Sequence, residues 1–409
     1  MDILIEELDG SLLTAALLNG RIEGFEVDPI DESVRWGSIY RAKVKTLDPA
    51  RDAAFLDLGD DLTGLIYNKD IRIIDETGKA KKGGEKAISK TLSPGDMITV
   101  QAKTAYTKRP NSGTLTGENK LPQMSMDVTL PGRYLIYAPM LDRTKISSRI
   151  RDESVRGLIR TMMRDMNERA NFIIRASAAF TQTDMLVQEA KFLKSLWQTI
   201  FEQHSETDEP RLLKQGANAL ERSLSDHAAR AVQTIEVTTM DHLDLAEQWC
   251  ALFAPDLMPK ITPVELSDAS EDLALFYERD VIGQIESLFD SYIMMNGGGS
   301  IIIQSTAALT AIDVNTGGDK RGHLAVNIEA VNEIARHIRL RNIGGAIVID
   351  ALKLKNKKEM QSVLEALEAA TLKDPCTIQI HGVTGLGMIE MTRKRRTPPL
   401  DERFALPFM

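Results

Sequence analysis

The segment Leu309-Thr-Ala-Ile-Asp313 is an apolar run ending on a carboxylate, and Ala346-Ile-Val-Ile-Asp350 repeats the pattern 37 positions later. Between them Leu324, Ile328, Val331, Ile334, Ala335 and Ile338 recur at helical spacing, and Asn342 with Gly344 and Gly345 marks the helix end. A second helix is predicted from about Lys357 to Leu372, followed by the strand Ile378-Gln-Ile-His-Gly. Strand, helix, strand, helix, strand predicts an α/β layer arrangement with a central sheet, and the continuous apolar run 346–349 predicts a strand buried on both faces. One connecting helix returns the chain beside its start, so the two strands run parallel and Asp313 and Asp350 emerge at one sheet edge, where ligands of open α/β sheets bind.

Two carboxylates held a few ångströms apart repel unless one is protonated or a cation lies between them. A hard ion such as Mg²⁺ takes one or two carboxylates and fills its shell with water and substrate phosphate. Asn315 alternates back to the Asp313 face and offers an amide. Either aspartate alone reads more readily as a turn or helix-capping residue; two of them framing one helix, with Lys353, Lys355, Lys357 and Lys358 just beyond, favour a polyanion site. Arg336, Arg339 and Arg341 read either as part of that basic face or as a solvated helix surface. Net charge is −9, against the basic balance usual for nucleic-acid binding, yet residues 320–358 hold nine Lys/Arg and three Asp/Glu, and Arg393-Lys-Arg-Arg396 follows. Acidic residues crowd instead into 202–209 and 256–286.

Outward from this core, the first 30 residues read as a short strand pair, from Ile3-Leu-Ile and Leu12–Leu18, with an Asn19-Gly20 turn. Short strands from about 35 to 127 suggest a small barrel. In it Arg41, Lys43 and Lys45 share one face and Ala42 and Val44 the other; Ala54, Leu56 and Leu58 point inward, leaving Phe55 outside with Asp57. Polar loops at Thr77–Lys90 and Thr104–Lys120 interrupt the barrel and are expected to be mobile. Tyr134–Tyr137, Asp152–Arg169 and Phe172–Arg175 read as strand, helix, strand, and Met185–Phe201 as a long helix.

The 409 residues suffice for two to four domains. Cys250 and Cys376 are the only cysteines, so neither a disulfide framework nor a cysteine zinc site is indicated. The acidic start lacks a signal-peptide pattern, and no window approaches the roughly 18 apolar residues of a membrane span. A cytoplasmic protein is expected.

The run Ala308–Gly317, with Asn327-Ile-Glu-Ala and Glu333–Asp350, closely resembles the ribonuclease E/G family. Gln284-Ile-Glu-Ser, Gly387–Arg395, Gly37-Ser-Ile-Tyr-Arg and Ala53-Ala-Phe-Leu-Asp-Leu-Gly fit the same family. The resemblance implies an α/β multi-subdomain fold: an RNase H-like subdomain (1–35 plus 221–280), interrupted by an S1-type (OB-fold) RNA-binding barrel (36–127) and a 5′-sensor (128–220), then a DNase I-like catalytic subdomain (281–400). It implies an endoribonuclease cleaving single-stranded RNA to 3′-hydroxyl and 5′-monophosphate ends, in rRNA processing or mRNA decay. Asp313 and Asp350 match the metal-binding aspartates, Asn315 the assisting asparagine, and Phe55 a base-stacking aromatic. Phe55, Arg41, Lys43, Lys120, Arg175, Lys353 and Lys355 are the expected RNA contacts. The expected ion is Mg²⁺, with Mn²⁺ as its substitute, and no structural zinc is expected.

Three departures stand out. Arg175, matching the arginine that holds a 5′-phosphate, is followed by Ala176 where the family pattern has a threonine, which predicts weaker dependence on a 5′-monophosphate. A barrel aromatic falls on Leu65, with Tyr67 two residues on. The sequence shows no cysteine motif of the family's zinc-linked dimer, so a zinc-linked dimer and a degradosome scaffold tail are not expected, and a homodimer would form without that link. The competing readings are a non-catalytic RNA-binding protein of the same fold and, less compatible with a barrel, a phosphatase or nucleotide hydrolase.

Overall fold

The computed structural model describes residues 1–74, 80–107, 121–147, 149–165, 171–205, 208–227, 230–267 and 271–405. Its N-terminal sheet begins with three antiparallel strands, Asp2–Leu8, Ser11–Leu18 and Arg21–Asp28. The sequence suggested only a pair. Asn19 (φ 54°) and Gly20 (φ 75°) occupy the left-handed region that a tight two-residue hairpin demands, but their turn leads into the third strand, while Asp9-Gly10 joins the first two. Much later in the chain, Thr234–Val237 adds parallel to the first strand and Ile261–Pro263 parallel to that. The spatial order is thus third, second, first, fourth, fifth.

Between the third and fourth of these strands lie two further units. Ile39–Asp48, Ala53–Gly59, Leu62–Tyr67, Gln123–Ser125 and Met97–Ala102 close into a five-stranded barrel, the last strand pairing with the first. Ala42, Val44, Ala54, Leu56 and Leu58 fill its interior as their alternation predicts. The lysine-rich stretch near residue 80 is in part built into the structure, a departure from the mobile loop expected. Ala80–Lys82 pairs with Arg72–Ile74, and the buried Asn68 amide donates to Lys86 O at 2.7 Å while accepting from Gly84 N at 3.1 Å. The second unit is a four-stranded sheet, including Leu135–Tyr137 and Phe172–Ile174, packed with the helices Glu153–Asp165 and Thr183–Ser205.

The C-terminal unit is a six-stranded sheet in the order Tyr292–Met294, Ser300–Ser305, Leu309–Asn315, Gly345–Asp350, Ile389–Arg393, Ile378–Val383. Only Leu309–Asn315 and Gly345–Asp350 pair in parallel, through the crossover helix His323–Leu340. The strand at 389–393 wedges antiparallel between 345–350 and 378–383, which the strand-helix alternation of the sequence did not reveal. Helices His323–Leu340 and Lys357–Thr371 both cover one face, where Ile301, Ile303, Ile312, Val314, Ile347, Ile349, Ile389 and Met391 are buried. The expectation that 346–350 is buried on both sides fails: Ala346 and Asp350 are exposed and Val348 half-buried, because among the described residues the helices that cover this sheet lie on one side.

Polar ties join the C-terminal unit to the N-terminal sheet. Arg336 Nε donates to Ile22 O at 2.9 Å, and Arg339 reaches Glu23 through its carbonyl (3.1 Å) and carboxylate (2.8 Å). Arg341 is engaged within the C-terminal unit, donating to Asp290 O at 2.6 Å and Ser287 O at 3.2 Å. These three arginines are therefore neither a solvated surface nor an RNA-facing one. Gln284 clamps the Asn19-Gly20 turn, donating to Gly20 O at 2.8 Å and accepting from Ile22 N at 3.0 Å. Among the described residues no helix is long and apolar enough to cross a membrane.

Candidate active site on an open sheet face

Asp313 and Asp350 are direct partners in the parallel register, so their side chains leave adjacent strands on the same side. Neighbouring strands lie about 4.8 Å apart, which places both carboxylates within reach of one cation. Each is exposed, on the face opposite the two helices. The alternation that buries Ile312, Val314 and Ile349 turns Asp313, Asn315 and Asp350 outward. Asn315 Nδ2 donates to Asp313 Oδ2 at 2.7 Å, which steadies that carboxylate. Among the described residues no group of three or more His, Cys, Asp or Glu side chains converges as a metal cage. Two carboxylates on adjacent strands are a donor set of the kind Mg²⁺ accepts when water completes its shell.

The turn after Asp350 is held by a residue to which sequence reading gave no role. Asn327, fully buried in the crossover helix, donates to Leu352 O at 2.8 Å and accepts from Leu352 N at 2.9 Å. His323 Nδ1 lies 2.8 Å from Lys353 O. So anchored, the segment presents Lys353, Lys355, Lys357 and Lys358 to solvent, and none has an ion-pair partner among the described residues. The other basic run is largely engaged internally. Arg393 is buried against Asp374 at 2.8 Å, and Arg396 pairs with Asp226 at 2.7 Å while stacking over Trp36; Lys394 and Arg395 stay exposed.

Around the barrel the expected contacts divide. Phe55 is half-buried on the outer surface, with Leu65 its cross-strand partner and Tyr67, under Lys69 Nζ, one step along. Lys43 is exposed; Lys45 pairs with Asp57 at 3.4 Å. Arg41 does not share that open face. It is 5% exposed, its strand flanked by Met97–Ala102 and Arg211–Lys214, and its guanidinium lies 3.2 Å from Asp208. The strand Arg211–Lys214, 170 residues further along, pairs beside the one carrying Arg41, and Asp208 just before it takes up the guanidinium. Lys120 lies outside the described residues.

Arg175 also departs from its expected role. Its Nη1 donates to Gly132 O at 3.0 Å and Ser225 Oγ at 2.5 Å, and its Nη2 to Ser225 O at 2.9 Å and Asp226 Oδ1 at 3.4 Å. Burial depresses its pKa and Asp226 opposes that shift. The guanidinium ties the four-stranded sheet to the helix Ala219–Asp226, with little capacity left for a terminal phosphate. Ala176 opens a short 3₁₀ turn and adds no donor side chain.

The same sheet face carries groups that the sequence did not single out. Glu390 is the cross-strand partner of Val348, one step from Asp350, and His381 Nε2 lies 3.1 Å from Thr392 Oγ1. At the far edge Tyr292 is exposed in line with Asp313. Period-two alternation within 389–393 would have flagged Glu390; Tyr292 is legible only once strand order is known.

Residues 129–396 match the Ribonuclease E/G family. The chain is 32% identical over 371 residues to Ribonuclease G of Salmonella typhimurium, covering 88% of this chain and 72% of that protein. It is 31% identical to Ribonuclease G of Escherichia coli K12 (89% and 74% covered). Ribonuclease E of the same strain is 28% identical over 410 residues, spanning 98% of this chain but 37% of the relative.

Proposed function

The chain belongs to the ribonuclease E/G family, and we propose on that footing that it is an endoribonuclease of RNA processing and decay, cutting single-stranded RNA at Asp313 and Asp350. The observation that carries this reading is the direct register of those two residues on an uncovered sheet face. The subdomain division follows the family: RNase H-like (1–35 with 221–280), S1-type barrel (36–127), sensor-like unit (128–220) and DNase I-like catalytic unit (281–400). The strand order of the N-terminal sheet and the closed barrel support it.

Asp313 and Asp350 are the groups that would hold Mg²⁺, with Mn²⁺ an alternative, and the bound ion supplies Lewis acidity toward the scissile phosphate and acidifies water. The protein's own contributions are positional. Asn315 keeps Asp313 from rotating. Asn327 fixes the turn that delivers Lys353 and Lys355, whose ammonium groups offset backbone phosphate charge as the strand settles. Water adds to phosphorus, the P–O3′ bond breaks, and the products are a 3′-hydroxyl and a 5′-monophosphate. Phe55 and Lys43 engage the strand from the barrel, Phe55 by stacking. Arg175 being bonded internally and position 176 being alanine, cleavage depends little on a 5′-monophosphate.

The test is cleavage of an unstructured RNA with Mg²⁺ against EDTA, beside Asp313→Asn. Metal-dependent cutting lost in the variant is expected. Equal inertness of both proteins, with RNA binding intact, would replace this reading with that of a binding protein.

A further inference from the structure

Tyr292 faces Ile302, Ile302 faces Asp313 and Asp313 faces Asp350, one residue per strand. Facing partners project on the same side of a sheet, so this is one straight row on the uncovered face. Met294 heads the next row, Met294, Ser300, Asn315. Tyr292 is 52% exposed and Met294 65%, while Ile293 between them packs into the buried layer. The Tyr292 hydroxyl lies 3.8 Å from Met294 Sδ, which holds the two side chains together. A ring and a thioether exposed side by side on an edge strand are a liability unless something covers them.

We propose that Tyr292 and Met294 form a ledge on which one base of the RNA strand stacks while the scissile phosphate lies at Asp313 and Asp350. Two strand spacings separate Tyr292 from Asp313, about 10 Å, so the stacked base belongs to a nucleotide about one or two steps from the cut. The flat ring takes any base, since every base has a π face, and the thioether packs at the ring edge. Nucleic acid is favoured over another protein because the row continues unbroken into the carboxylate pair. Lys353 and Lys355 beyond Asp350 supply positive charge at the opposite end of the row. The ledge rests on the reading of Asp313 and Asp350 as the cleavage centre.

The experiment pairs variants of the full chain with an oligoribonucleotide carrying one abasic residue at each position near the cut in turn. Wild type is expected to lose about 5- to 100-fold in kcat/KM at a position one or two steps from the cut, apart from any position that stacks on Phe55. Tyr292→Ala should show that loss on the intact RNA and no further loss with the abasic one, and Tyr292→Phe should behave as wild type. In EDTA, 2-aminopurine at the same position should be quenched on binding to wild type and Tyr292→Phe but not to Tyr292→Ala. That readout is independent of turnover, so quenching without metal-dependent cleavage would keep the ledge and sink the nuclease reading. An abasic profile and quenching identical in wild type and Tyr292→Ala would overturn the ledge. So would a Tyr292→Ala change confined to dissociation of a dimer, which would make the edge a contact between copies.

Discussion

Replacing Arg175 by alanine is expected to loosen the fold before it alters recognition of an RNA end. The guanidinium serves four acceptors contributed by Gly132, Ser225 and Asp226. Asp226 is buried, which pushes its pKa up, but Arg396 and Arg175 pull it below the ordinary carboxylate range. Breaking a buried ion pair from one side costs about 3–5 kcal/mol. Asp226 keeps Arg396 at 2.7 Å, so the lower end, about 3 kcal/mol, applies here. At about 2–4 °C per kcal/mol for a unit of 150–250 residues, the melting midpoint should fall by about 6–12 °C. The assay is thermal melting by near-ultraviolet circular dichroism, run beside cleavage of one RNA with a 5′-monophosphate or a 5′-hydroxyl. Wild type should cut both at similar rates. An Arg175→Ala protein that melts with wild type, and that loses a large monophosphate preference which wild type possesses, would refute the reasoning.

Asp350→Asn should reduce cleavage by at least about a hundredfold, the scale on which electrostatic groups of an active site act, while RNA affinity measured in EDTA stays near wild type. Lys353→Ala and Lys355→Ala should each weaken binding evenly across sequences and lower the slope of log affinity against log salt by about one, as titrations at several salt concentrations would reveal. His337 is buried and accepts from Arg341 Nε at 3.2 Å, and burial pushes its pKa down to about 2 from an ordinary 6.5. The unfolded chain therefore takes up a proton that the folded chain refuses. Stability is full above pH 6.5 and falls below it by about 1.4 kcal/mol per pH unit, and urea midpoints of His337→Asn should show a shallower slope between pH 6.5 and 5.

The carboxylate pair was legible because each aspartate closes an apolar run of strand length and a helix of return length separates them. That both emerge together followed from the parallel crossover, and Asn315 from simple alternation; the direct register is seen only in the structure. What stayed hidden depends on segments meeting across the chain. Arg41 looks like an open cation until Arg211–Lys214 is laid beside it, and Arg175 like a free donor until Ser225 and Asp226 arrive. Arg336 and Arg339 look like surface residues until Ile22 and Glu23 supply acceptors. Charge and period report what one element offers; they are silent about which partner takes it up. The exposed face of 345–350 is hidden in the sequence for a related reason, since alanine and valine are compatible with either a buried or an open sheet surface.

The bare side of the C-terminal sheet has a consequence for how a polymer is handled. A centre sunk in a cleft meets a wall on each side, and a chain must thread its terminus inward to be cut. On an open sheet face, with the covering helices on the other side, a long molecule can be laid across at points along its contour. Interior bonds are then as reachable as those near a tip, and length ceases to be something the enzyme can measure.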